Sequence, residues 1–132
     1  MSTAGSLDAN ILLRLLLRDV PKQHDAAKAL LNSGGPFHIS DTALIEVIFV
    51  LGRAYGLSRA QQWEAIGGLL NQPQIGGNAD LFSAAFDLYV NHPKLSFEDC
   101  YLVTDAEATD TSLLWTFDRN LAQQTSARLL PG

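Results

Sequence analysis

The sequence is short of sulfur and of histidine. Cys100 is its single cysteine, so no internal disulfide can form and a reducing compartment is the natural default. His24, His38 and His92 lie far apart, and no Cys/His pair has zinc-finger spacing, which argues against a zinc site. Charged residues are sparse at 17%, against 47% hydrophobic, and this balance excludes a disordered chain. Long unbroken apolar runs are also missing. Arg14, Arg18 and Glu46 interrupt them, so no segment is expected to span a membrane. The N-terminus lacks a basic stretch and Asp8 interrupts it early, so the expectation is a cytoplasmic protein without a signal peptide. There is no internal repeat, low-complexity stretch or interdomain linker. Its 132 residues suit a single domain over 1–132 that builds its core without disulfides.

Basic residues are outnumbered. Fourteen acids and nine bases give a net charge of −5, which weighs against non-specific nucleic-acid binding by a basic face. Four of the acids are singled out below. Setting them aside leaves ten acids against nine bases, a nearly neutral remainder. Bound divalent metal would offset the four locally.

Short apolar stretches alternate with longer helical ones. Residues 3–7 (TAGSL) suit a short strand, and Asp8 follows it. In 9–19, Ile11, Leu12, Leu15 and Leu16 form a helical stripe, with Arg14 and Arg18 on another face. Pro21 stops that helix and can start the next, which runs from Lys22 to Asn32. Gly34-Gly35-Pro36 is a turn before a short strand at 37–39. Ser40 or Asp41 suits the N-cap of a helix reaching Tyr55, with Gly56 at its C-cap. Ser58 caps a further helix, on which Leu57, Ala60, Trp63, Ile66 and Leu70 recur at helical spacing. Pro73, Gly76 and Gly77 mark 72–78 as a loop, and 80–91 is helical again.

The stretch from Ser96 to Leu121 organises the rest. It reads as a helix with Asp99 in its first turn, a polar turn, and a buried strand (Leu113, Leu114, Trp115, Phe117) ended by Asp118. Residues 128–130 suit a last edge strand. Strands alternating with helices favour parallel pairing through helical crossovers, hence an α/β domain with a large helical share. Ligands of open parallel sheets bind beyond the carboxyl ends of strands, which draws attention to the acids at those ends.

Asp8, Glu46, Asp99 and Asp118 are the candidate site acids, and each has a plainer reading. Asp8 suits an N-cap, with Asn10 adding a polar group at the same corner. Glu46 is the one polar residue from Ala43 to Leu51, and an ionised carboxylate buried there would cost several kcal/mol unless paired or metal-bound. An exposed position or a structural salt bridge is the alternative. Ser96 and Asp99 have the spacing of a capping box, and Glu98 also favours the helix dipole. Asp118 can cap the turn that follows it. Thr116, two residues back on a strand, shares a face with Asp118. Four carboxylates without histidine form a ligand set suited to Mg²⁺ or Mn²⁺. Such ions can activate water and stabilise a leaving oxygen in phosphodiester cleavage.

Four pieces then support a resemblance: LDANILLRLLLRD at 7–19, ISDTALIEVIFVLGRAYGLSR at 39–59, FEDCYLV at 97–103 and LLWTFDRNLA at 113–122. In this order and spacing the chain resembles the PIN-domain ribonucleases, and within them the VapC-type toxins of bacterial toxin–antitoxin pairs. The first strand, TAGSL, is less apolar than is usual there. The resemblance implies a PIN-like three-layer α/β domain with a short-stranded, mainly parallel sheet flanked by helices. It further implies a Mg²⁺-dependent endoribonuclease, a homodimer and a cognate antitoxin protein. It maps the family's acids onto Asp8, Glu46, Asp99 and Asp118, and its supporting polar positions onto Asn10 and Thr116.

On this reading the substrate is structured cellular RNA. Arg14, Arg18 and Arg119 are the expected phosphate contacts, each with a solvated face or a carboxylate partner as the alternative. Two other functions compete. One is a non-catalytic binding module that keeps the fold. The other is a phosphotransfer or dehalogenase-like enzyme with Asp8 as nucleophile. The latter usually has a second acid where Asn10 stands, and a late lysine, whereas none follows Lys94.

Overall fold

The computed structural model describes residues 4–111 and 113–132. Thr3, where the expected first strand begins, and Ser112, in the turn before the Trp115 strand, lie outside the described residues. The fold is mixed α/β. The chain divides into two compact units, Met1–Ala79 and Asp80–Gly132.

The first unit holds a parallel three-stranded sheet in the order β1 (Gly5–Ser6), β2 (Phe37–His38), β3 (Ile75–Gly76). Gly5 pairs with Phe37, and Phe37 with Ile75. Hydrogen bonds flank the short ladders: the Ala4 N–H donates to the Pro36 carbonyl at 2.9 Å, and Leu7 to His38 at 3.0 Å. β3 falls within the stretch expected to be a loop. Its two residues sit beside Pro73 and Gly77, whose turn chemistry masks so short a strand. Gly35 stands at φ +142°, and a Cβ there would lie 3.0 Å from the Gln74 carbonyl oxygen, which itself accepts the Phe37 N–H. The close approach of the segments before β2 and β3 therefore needs a glycine.

Helices α1 (Ala9–Leu16), α2 (Pro21–Asn32), α3 (Asp41–Arg53) and α4 (Arg59–Leu70) complete this unit. α1 ends at Leu16, well before Pro21, and Pro21 opens α2 at its first turn. Ser40 caps α3, and Ser58 caps α4 in a reciprocal capping box with Gln61. After α3 the chain turns through Gly56 at φ +67°, two residues past the C-cap Ala54. Leu12, Leu44, Val47, Leu51 and Ile66 are buried at the centre. The inward stripe of α4 is Gln62, Ile66 and Leu69, rotated from the expected one, with Trp63 and Leu70 half-buried. Gln62 tolerates burial because its Nε2 donates to the Leu57 carbonyl at 3.0 Å.

The second unit holds α5 (Ala79–Asn91, beginning at the division), α6 (Phe97–Ala108), α7 (Arg119–Gln124) and the parallel pair β4 (Trp115–Thr116) and β5 (Arg128–Leu129). Leu95, Cys100, Val103, Leu121 and Ala127 form its buried cluster, with Leu114 packed against it. Phe97 stacks on Phe82 at 5.8 Å between centroids and meets Phe86 at 4.8 Å and Tyr89 at 5.3 Å. The strand expected to be buried is not. Trp115 is 56% and Phe117 69% exposed, and only Leu114 turns toward the cluster. Among the described residues β4 pairs with β5 alone, so it covers one narrow strip, and an apolar run cannot show how many of its faces are covered. Among the described residues, no helix is long and apolar enough to cross a membrane.

Candidate active site

Asp8 stands at the carboxyl end of β1. Leu7, immediately before it, is buried, and alternation along extended backbone leaves Asp8 exposed. Its Oδ1 accepts the Ile11 N–H at 3.0 Å, capping α1. The cap uses one carboxylate oxygen. Asn10, also exposed, shares with Asp8, Ile11, Arg14, Ala26 and Leu30 the lining of a cavity of about 420 Å³.

Glu46 lies on α3 between buried Leu44 and Val47, yet is itself exposed. Thr42, Glu46 and Phe49 share one outward stripe at helical spacing, and the Arg53 guanidinium lies 5.7 Å from the Phe49 ring centre. The apolar run around Glu46 thus includes a solvent-facing aromatic, Phe49 at 54% exposure. The expected desolvation cost does not arise.

Asp99 belongs to the first turn of α6. The Ser96 hydroxyl caps that turn by accepting the Asp99 N–H at 3.1 Å. Phe97, buried in the aromatic cluster, fixes the rotation of the helix, and Asp99 two residues on is half-buried. Asp118 caps α7, its Oδ1 accepting the Leu121 N–H at 3.1 Å. Its own N–H donates to the Thr116 hydroxyl at 3.0 Å, so Thr116 fixes the backbone that carries Asp118.

The three arginines differ. Arg14 Nη1 bonds Asp19 Oδ1 at 2.8 Å, and the Tyr55 hydroxyl donates to Asp19 Oδ2 at 2.7 Å. The Tyr55 bond first, then the attraction of Arg14, holds Asp19 below the usual carboxylate range. Arg14 therefore has the carboxylate partner that was its plainer reading. Tyr55 is remote in sequence, and no pattern announced that contact. Arg18 and Arg119 are exposed and have no ion pair among the described residues.

Asp8 and Glu46 belong to the first unit, Asp99 and Asp118 to the second. Among the described residues, no group of three or more His, Cys, Asp or Glu side chains is arranged to hold a metal ion. The chemistry of the donor set nevertheless fits a hard divalent cation. All four are carboxylates, and each of the caps by Asp8 and Asp118 engages a single oxygen.

A family model described as PIN domain matches residues 6–125, a span that crosses both units and contains all four acids. No curated protein matches the chain.

Proposed function

The chain belongs to the PIN domain family, whose members are generally metal-dependent nucleases, and from this premise we propose that it is a Mg²⁺-dependent endoribonuclease acting as the toxin of a type II toxin–antitoxin pair. The observation that carries the reading is the family match running through Asp8, Glu46, Asp99 and Asp118. These four would hold Mg²⁺, with Mn²⁺ as its substitute. The bound ion supplies Lewis acidity and an activated water for phosphodiester hydrolysis. The chain's own residues orient the donors. The cap to Ile11 fixes Asp8, the cap to Leu121 together with the Thr116 hydroxyl fixes Asp118, and Ser96 with Phe97 fixes the turn bearing Asp99. Asn10 adds a polar group beside Asp8. Arg119, adjacent to Asp118 and free of an ion pair among the described residues, is the better phosphate contact than Arg14.

The substrate is structured cellular RNA and the setting cytoplasmic. A homodimer and an antitoxin protein complete the proposal, the antitoxin blocking the acids with a basic side chain. The competing reading is a non-catalytic binding module that keeps the fold. Family membership weighs against the aspartate-nucleophile enzyme.

The test is cleavage of total RNA by purified full-length protein, with Mg²⁺ or with EDTA, beside Asp99→Asn. Wild type should cut only with metal, Asp99→Asn should not cut, and induced expression of wild type alone should arrest growth. Cleavage by Asp99→Asn at the wild-type rate would remove Asp99 from the site. A metal-replete wild type that cuts no RNA would favour the binding module.

A further inference from the structure

A second cavity, of about 410 Å³, lies wholly within the first unit. Arg18, His24, Lys28, Leu31, Leu69 and Gln74 are the lining residues that matter. Its place follows from the topology. Asp8 leaves the carboxyl end of β1, whereas Gln74 immediately precedes β3, and the strands are parallel. Gln74 therefore marks the amino ends of the sheet. Arg18 lies beyond the far end of α1, whose eight residues span ~12 Å. The cavity is thus at the opposite end of the sheet from Asp8.

Its chemistry departs from that of the chain. The protein carries a net charge of −5, yet among the described residues no Asp or Glu lines this cavity. Arg18 and Lys28 have no ion pair among the described residues. His24 Nδ1 lies 2.7 Å from the Arg14 carbonyl oxygen, which can only accept, so Nδ1 carries the proton and Nε2 remains for another partner. Gln74 closes the wall at the amino end of β3. Leu31 and Leu69 add an apolar wall. Two cations for an anion, an imidazole nitrogen for a further polar contact, and leucines for a flat ring describe one ligand class. The volume suits one such molecule rather than a strand.

We propose that this cavity is a second binding site, taking a small phosphate ester of nucleotide size. Arg18 and Lys28 meet the phosphate, and His24 Nε2 meets a polar group of the ribose or base. The site is independent of the acids and of any metal they hold.

The experiment is calorimetric titration of the full chain in EDTA, with AMP, UMP, inorganic phosphate, adenosine and a short oligoribonucleotide as probes. Arg18→Gln/Lys28→Gln is the test variant. Lys94→Gln controls for loss of a positive charge in the other unit. A mononucleotide should bind wild type and Lys94→Gln alike, and the double variant at least about tenfold more weakly. Inorganic phosphate should bind more weakly than AMP, and adenosine without phosphate should not bind. Any of three results would overturn the proposal. One is no mononucleotide binding up to ~10 mM, a limit weaker than ordinary ligand sites. Another is equal binding by the double variant. The third is an oligoribonucleotide held more tightly through Arg18 and Lys28, which would make the cavity part of an RNA path.

Discussion

Asp8 has an observed role and a proposed one, and one pair of substitutions can separate them. Its Oδ1 caps α1, and its charge is a proposed metal donor. Asp8→Ala removes both. Loss of an N-cap costs about 1 kcal/mol, within a range of about 0.5–2. For a chain of this size that is a fall of roughly 3–5 °C in Tm. Asp8→Asn keeps a side-chain oxygen for the Ile11 N–H, and Asn is as good an N-cap as Asp. It gives up only the favourable charge at the helix N-terminus, about 0.3–1 kcal/mol at an exposed site. In EDTA the order of stability should be wild type, then Asn, then Ala. Added Mg²⁺ tests the proposed role. A hundredfold excess over its dissociation constant stabilises a one-site protein by about 2.7 kcal/mol. Wild type should gain that increment, while Asp8→Asn and Asp8→Ala should both lose most of it. The assay is urea unfolding of the three proteins, each with EDTA and with Mg²⁺. An equal Mg²⁺ increment in wild type and Asp8→Asn would refute the metal role. Equal stability of Asn and Ala in EDTA would refute the cap as the source of the difference.

Two further outcomes follow from an aromatic cluster and from a tyrosine hydrogen bond. Phe97→Ala should cost about 3–5 kcal/mol, because the ring is buried among three other aromatic rings, and urea unfolding showing a loss under 1 kcal/mol would contradict that packing. Tyr55→Phe removes the principal cause of the lowered Asp19 pKa, so the folded pKa should rise toward the ordinary value. A lowered folded pKa adds stability above the unfolded value of about 3.9 and loses it as pH falls through the folded pKa. The wild-type advantage over Tyr55→Phe should therefore be full at pH 7 and shrink below about pH 4, whereas an equal gap at pH 7 and pH 3 would assign it to packing.

Local signals in the sequence were dependable where one residue type performs one local task. Ser40, Ser58 and Ser96 each cap the helix they were expected to cap, because a hydroxyl before a helix has a partner three residues on. The plainer reading of Asp8 and Asp118 as caps holds for the same reason. What could not be read depended on distant chain. Ile75–Gly76 becomes a strand only because Phe37 lies beside it. The exposure of Trp115 and Phe117 depends on what covers β4, and that of Glu46 on which side of α3 meets the core. Gln62 faces inward, against its polarity, because Leu57 offers a carbonyl. For the site, the four acids were legible as residue types, and the span that the family model matches contains them. Two of the acids lie in each compact unit, and no local pattern relates residues so far apart in sequence.

The parallel pairing of the described strands bears on how the chain folds. A parallel neighbour cannot follow through a tight turn; it arrives only after an intervening crossover. Gly5 meets Phe37 after α1 and α2, and Phe37 meets Ile75 after α3 and α4. Each ladder is two residues long, so little hydrogen bonding offsets the entropy of closing so long a loop. The helices, with their local contacts and serine caps, are therefore expected to order first, and the sheet to register on helices already packed. Refolding rate should then respond to substitutions in the α1–α3 contact, while changes confined to β1 should act mainly on unfolding.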